Sequence, residues 1–132
     1  MKIKTNELTG TALDWAVAKC DLGIDWWAAE EPRDGLFVDY ERTKRYSPST
    51  NWSQGGPIIE REGINLSVNY QDDALGSDMI QVGWKANLWN NSVPGTSGFM
   101  QWAYGPTPLI AAMRCYVASR LGDEVEVPEE LK

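Results

Sequence analysis

An α+β domain is what this sequence predicts. Three observations carry that reading: an apolar stripe at helical spacing near each end of the chain, short alternating segments with turn signals between them, and a length of 132 residues, enough for one hydrophobic core but not two. The expected architecture is a small antiparallel sheet of about four strands packed with two main helices, about residues 9–21 and 107–121. These would form one domain over 1–122, followed by an acidic tail over 123–132.

The elements follow in order. Residues 2–5 alternate as a short strand does. Leu13, Ala16, Val17 and Cys20 then fall at i, i+3, i+4 and i+7, a helical stripe with Thr9 or Thr11 as N-cap, Asp14 at capping-box distance from Thr11, and Gly23 as a stop. Residues 36–46 mix aromatic, β-branched and charged positions, as in a strand with one wet face. From Ser47 to Pro57 turn formers dominate, and Ile58 to Glu62 would make a short helical turn entered at Pro57 and closed by Gly63. Ile64 to Val68 and Met79 to Trp84 read as strands around an acidic turn with Asp72, Asp73 and Asp78, residues 87–98 as loop, and Phe99 to Tyr104 as a last strand. Pro108 to Leu121 has the clearest helical pattern: Leu109, Ala112, Met113, Tyr116 and Val117 form its stripe, Thr107 caps it, Pro108 stands at N1, Arg120 suits the C-terminal dipole, and Gly122 ends it.

Composition bears on function. Seven tryptophans and no histidine favour binding through aromatic surface over acid–base catalysis near neutral pH. A net charge of −7 argues against general affinity for nucleic acid or anionic lipid. The acidity is concentrated in the last ten residues, the other 122 summing to only −3. Cys20 and Cys115 fall in helical segments, so buried thiols are expected rather than a disulfide scaffold. With no apolar leader and no span of roughly 18 apolar residues, the expected setting is the cytoplasm, and the Asn-X-Ser triplets at Asn51, Asn65 and Asn90 carry no glycosylation meaning there.

Ser49 to Glu62 (STNWSQGGPIIERE), Gly105 to Leu131 (GPTPLIAAMRCYVASRLGDEVEVPEEL) and Leu8 to Lys19 (LTGTALDWAVAK) resemble the NinX family of small proteins carried by tailed phages and prophages. The resemblance implies a phage accessory protein, with its setting in the infected bacterial cell. It carries no catalytic residue to any position here.

Candidate binding residues come from the residues themselves. Trp52 can cover a flat ring, Gly55 and Gly56 allow close backbone approach, and Arg61 follows; the competing reading is a tight turn with Trp52 plugging the core. The spacing matches neither a phosphate-binding P-loop nor a dinucleotide fingerprint. Arg114, mid-helix, needs an anionic partner, either Glu60 or Glu62 or a ligand. Gly105 and Thr107 precede a helix start suited to anions, or to ordinary capping. Trp26, Trp27 and Trp102 complete the set as stacking surfaces. Alternation also marks Trp84 and Trp102 as core residues, while Trp26 and Trp27, being adjacent, cannot both be buried in a strand.

Enzyme constellations are weak: Asp72, Asp73 and Asp78 read as a solvated turn rather than a magnesium site, and no nucleophile has an activating histidine. No cofactor is expected. The leading expectation is a non-enzymatic binder of a small, anionic or nucleotide-like ligand, in its sharpest form a nucleotide-derived defence signal of the host. The alternative is an interaction module that modulates a host or phage protein through an aromatic and acidic surface. Surplus aromatic residues also suggest a homo-oligomer.

Overall fold

The computed structural model describes residues 1–22, 45–72, 74–76, 78–91, 94–95 and 97–129. Trp26, Trp27, Gly23, Asp73 and all but the end of the expected strand over 36–46 lie outside them. The described elements are β1 (Lys2–Lys4), a 3-10 turn (Thr5–Glu7), α1 (Gly10–Leu22), α2 (Trp52–Glu62), β2 (Asn65–Asp72), β3 (Met79–Asn90), β4 (Phe99–Gly105), α3 (Pro108–Leu121) and β5 (Glu124–Glu126). The fold is α+β. One antiparallel sheet has the order β2-β3-β4, and a smaller one pairs β1 with β5.

Helix α3 lies across one face of the three-stranded sheet, and α1 and α2 pack on α3. Leu13, Val17, Met113, Cys115, Tyr116 and Val117, all buried, form the centre of the core. In α1 the expected stripe is present, with Leu13 N–H donating to Thr9 O at the helix start. Asp14 does not close a capping box there; it turns inward, and its Oδ1 accepts the Ser49 N–H at 2.9 Å.

Helix α2 starts five residues before the expected entry at Pro57. Asn51 supplies the missing signal: its Oδ1 accepts the Ser53 N–H at 3.0 Å and caps the helix at Trp52. The glycines that look like turn residues are helical. At Gly55 a Cβ would lie 2.6 Å from Leu109 Cδ2, so this glycine serves helix-to-helix approach. Gly63, in the left-handed conformation with φ 66, ends the helix as expected.

Strand β3 runs on to Asn90, into residues expected to be loop. The polar run around Asn87 to Asn91 hides an alternation in which Ala86, Leu88 and Asn90 are buried. The Asn90 amide is satisfied by Gln101 Oε1 and Ser119 O, both at 3.3 Å, which is what a buried side-chain amide requires. A bulge interrupts β2 and β3 where Asn69 opposes Gly83 and Tyr70 opposes Gln81. Gly83 has φ 138, and a Cβ there would sit 2.7 Å from Gly105 O.

Residues 124–126, expected to begin a solvated tail, instead form β5, in register with β1 through Lys2↔Glu126 and Lys4↔Glu124. Val125 and Val127 are buried while the glutamates stay exposed. Apolar residues alternating with acidic ones are strand chemistry, and this overrides the bare count of charges. Among the described residues no helix is long and apolar enough to cross a membrane.

In β4 the large residues point away from the helices. Ala103 is buried and Gln101 half-buried beneath α3, whereas Met100, Trp102 and Tyr104 are exposed. Trp102 is therefore not the core residue that alternation alone suggests; Trp84 does pack against the core. Close approach of α3 at Gly105 accounts for this on β4: a Cβ there would lie 2.8 Å from Ala111 N, so α3 leaves little depth over this end of β4, while the inner-face indole of Trp84 is carried by the neighbouring strand β3.

Candidate functional site

Helices α2 and α3 both begin at one cleft. Ser49, Thr50, Trp52, Thr107, Pro108, Leu109 and Ile110 line a space of about 230 Å³. Asn51 and Thr107 provide the caps: Thr107 Oγ1 accepts the Ile110 N–H at 3.1 Å, as Asn51 Oδ1 accepts that of Ser53. Each cap satisfies only one of its helix's unpaired amides. The backbone N–H groups of Trp52 and Leu109, the first available on each helix, have no partner among the described residues.

Trp52, as the first residue of α2, is 54% exposed at the cleft wall. It does not plug the core. Gly56 is open, with nothing within 4 Å of where a Cβ would stand, while Gly55 sets the distance between the cleft walls by its packing on Pro48 and Leu109. Gly105 plays the comparable part behind α3.

Behind Ser49 lies Asp14, 6% exposed. Burial lifts its carboxyl pKa from 3.8 to about 6, against hydrogen bonding from Ser49 that favours the charged form. All three segments that carry the family resemblance therefore meet at this place, with Asp14 from the first, Ser49 to Trp52 from the second and Thr107 to Ile110 from the third. Asp14, Ser49 and Thr50 were not picked out as site residues in the sequence. Asp14 looked like a helix cap, and nothing local shows that a helical carboxylate will reach a turn 35 residues on.

The other expected site residues are elsewhere. Arg61 Nη2 bonds Asp21 Oδ1 at 2.7 Å and Tyr116 Oη at 3.3 Å, and its Nε bonds Glu62 Oε2 at 2.9 Å. Arg120 Nη2 reaches the other Glu62 oxygen at 2.8 Å. Burial alone would raise the Glu62 pKa, but the two guanidiniums outweigh it and hold the carboxyl below its usual range. These ion pairs flank the Tyr116 ring, with the Arg61 and Arg120 guanidinium carbons 5.9 and 5.6 Å from its centroid. Arg61 is thus held by neighbours and does not line the cleft.

Arg114 pairs with neither Glu60 nor Glu62. Its Nε donates to Leu8 O and its Nη1 to Tyr104 O, both at 2.8 Å. Burial lowers its pKa, offset in part by Glu7. The residue ties the segment before α1 to the end of β4, which is a structural task. Trp102 stands on the outer face of the sheet, and Lys85 Nζ lies 5.8 Å from its ring centroid.

A larger trough of about 530 Å³ lies between the end of β3, the start of β4 and the C-terminal end of α3, bordered by Asn90, Phe99, Gln101, Ser119, Arg120 and Asp123. Its Asn90 and Arg120 groups are already hydrogen-bonded, and it contains none of the expected residues. Cys115 is buried, with Sγ 3.4 Å from Gln101 O, and Cys20 is half-buried. Burial pushes both thiols up to about 12, so neither is poised as a nucleophile. Among the described residues no three metal-ligating side chains gather.

No curated protein matches this chain. A family model described as "Bacteriophage P22, NinX" matches residues 4–120, a span that includes both helix starts, Asp14 and the whole three-stranded sheet. The chain belongs to the NinX family of phage proteins.

Proposed function

We propose that this phage accessory protein binds a small, flat, anionic ligand in the cleft between the starts of α2 and α3. The observation that carries the reading is the convergence of two capped helix N-termini on an exposed tryptophan. Each helix start presents roughly half a positive charge and unpaired amides. The ring of the ligand stacks on Trp52, and its acidic substituent is received by the Trp52 and Leu109 amides. Arginine has no part in this: Arg61 and Arg114 are engaged elsewhere.

Size narrows the ligand. A cleft of about 230 Å³ is smaller than the roughly 300–1,000 Å³ of pockets that enclose drug-sized molecules. It accommodates one ring system with a phosphate or carboxylate and leaves a larger ligand partly in solvent. A mononucleotide or a nucleotide-derived signal fits this description, and sequestration of such a signal is the corresponding role. Among the described residues the cleft walls carry hydroxyls but no carboxylate, thiol or amine, and Asp14 is behind Ser49; the proposed activity is binding without turnover.

The test is a thermal-shift screen against nucleosides, mono-, di- and cyclic nucleotides and dinucleotide-derived metabolites. A ligand present at ~100 times its Kd stabilises by about 2.7 kcal/mol, several degrees for a chain of this size. A nucleotide shift absent for the parent nucleoside, and lost in Trp52→Ala, supports the reading. An unchanged midpoint across the panel, or a shift that survives Trp52→Ala, would overturn it.

A further inference from the structure

We infer that the outer face of the three-stranded sheet is the contact surface for a second copy of this chain, the two sheets packing face to face about a two-fold axis. The face is built by strict alternation: Lys85 opposes Tyr104, Asn87 opposes Trp102, and Trp89 opposes Met100, with Asn65 and Ser67 of β2 alongside Asn87 and Lys85. Among the described residues nothing covers it, and Trp89, Met100, Trp102 and Tyr104 are all more than two-fifths exposed.

The aromatic groups are held in place rather than spread loosely. Trp89 leans over Gly98, where a Cβ would come within 2.5 Å of the indole Nε1, and Lys85 reaches across the Trp102 ring. Asn65 Nδ2 donates to Asn87 Oδ1 at 3.1 Å, which fixes the amides beside the stripe. Taking half the roughly 150–250 Å² that an aromatic side chain can bury, the four apolar residues offer about 400 Å². That is the size of the largest apolar patch on a typical monomer, which is often a functional one. A standard interface takes roughly 800 Å² per partner, so the amides and Lys85 around the stripe share in the contact.

Charge selects the occupant. The chain carries −7, yet among the described residues no carboxylate projects from this face and Lys85 is the charged group on it; Lys4, Asp123 and Glu124 come near Trp102 across a cleft at the β4 edge. Polyanions need several cations, and one lysine does not supply them. A basic partner would need acidic groups on the face, and the face has none. What fits is a neutral surface of aromatic rings and amides, which a second copy presents by symmetry with no like charges opposed at the centre. Two such faces give a six-stranded sandwich with interdigitating side chains about 10 Å deep.

Sedimentation of the full chain across ~1–100 µM tests this, with Trp102→Asp, Lys85→Glu and Gly98→Ala as variants and Trp52→Asp as a control off the sheet. The expected result is twice the 14.8 kDa chain mass for the wild type and for Trp52→Asp. Trp102→Asp should weaken association by at least about 30-fold, as loss of a central aromatic anchor does. Lys85→Glu, which leaves the core untouched, should weaken it too, and Gly98→Ala should do so by displacing Trp89. A monomer throughout, or a dimer indifferent to both Trp102→Asp and Lys85→Glu, would overturn the inference, in the second case by placing the interface elsewhere. Should Trp102→Asp not fold, Lys85→Glu decides alone.

Discussion

The two faces of β4, the edge strand of the three-stranded sheet, differ in a way opposite to the usual arrangement of large apolar residues inside and small or polar ones outside, whereas β2 and β3 turn Leu66, Trp84 and Leu88 inward. On β4 the side toward α3 carries Gln101, Ala103 and Gly105 beneath the helix, with Phe99 at the open end of the strand, and the side away from it carries Met100, Trp102 and Tyr104. Helix α3 answers the inner face with Ala111, Ala112 and Cys115, all buried. Small residues on both partners let helix and sheet approach closely, and bulk is displaced to the outer face. The inner face secures the fold, and the outer face is available for association.

That division predicts unequal responses to substitution. The largest effect belongs to Arg114→Met, which leaves the Leu8 and Tyr104 carbonyls without their donor and should lower stability by about 3 kcal/mol in urea unfolding. Gly105→Ala places a methyl against Ala111 N and Ile110 Cγ2; chemical denaturation should show a loss of about 2–3 kcal/mol. A comparable loss for Trp102→Ser at low protein concentration would erase the distinction between the faces.

Asp14→Asn should act in the opposite direction. The carboxyl has a folded pKa of about 6 against its ordinary value of 3.8, so its protonated form favours the folded state and stability falls as pH rises between those values. The shift corresponds to about 3 kcal/mol. Asparagine keeps an acceptor for the Ser49 N–H, so the variant should be more stable than the wild type by about 2 kcal/mol at pH 7. Denaturation between pH 4 and pH 7 checks the sign: the advantage grows up to about pH 6 and is flat above it. The smallest expected effect is on the outer face, where Trp89→Thr should change the stability of the dilute chain by no more than about 0.5 kcal/mol.

Much of the fold was legible because its signals are local. Thr107, Pro108 and Gly122 mark α3 within a residue, and the alternation of Leu66 with Val68 marks β2. The start of α2 was obscured because Asn51, Gly55 and Gly56 have the composition of a turn, and only the packing of Gly55 against Leu109, 54 residues on, shows why glycine is helical there. The tryptophans misled in one respect. Period-two alternation identifies which residues share a face but not which face is covered; that depends on how closely α3 approaches, and the approach is set by Gly105 and Ala111. At the candidate site, Trp52 and the α3 start stood out by residue type alone, and the fold brings them to one cleft. The two arginines were not separable from structural ones, since a guanidinium bonded to backbone carbonyls or to a neighbouring carboxylate leaves no trace in spacing.

The division between the faces is tested most directly by the urea midpoint of the wild type and of Trp102→Ser at ~1 and ~100 µM chain. If the outer face joins two copies, mass action raises the wild-type midpoint with concentration, while the variant shows one concentration-independent midpoint near the dilute wild-type value. A wild-type midpoint that does not move with concentration, or a variant midpoint far below the dilute wild type, would contradict the account and return Trp102 to the core.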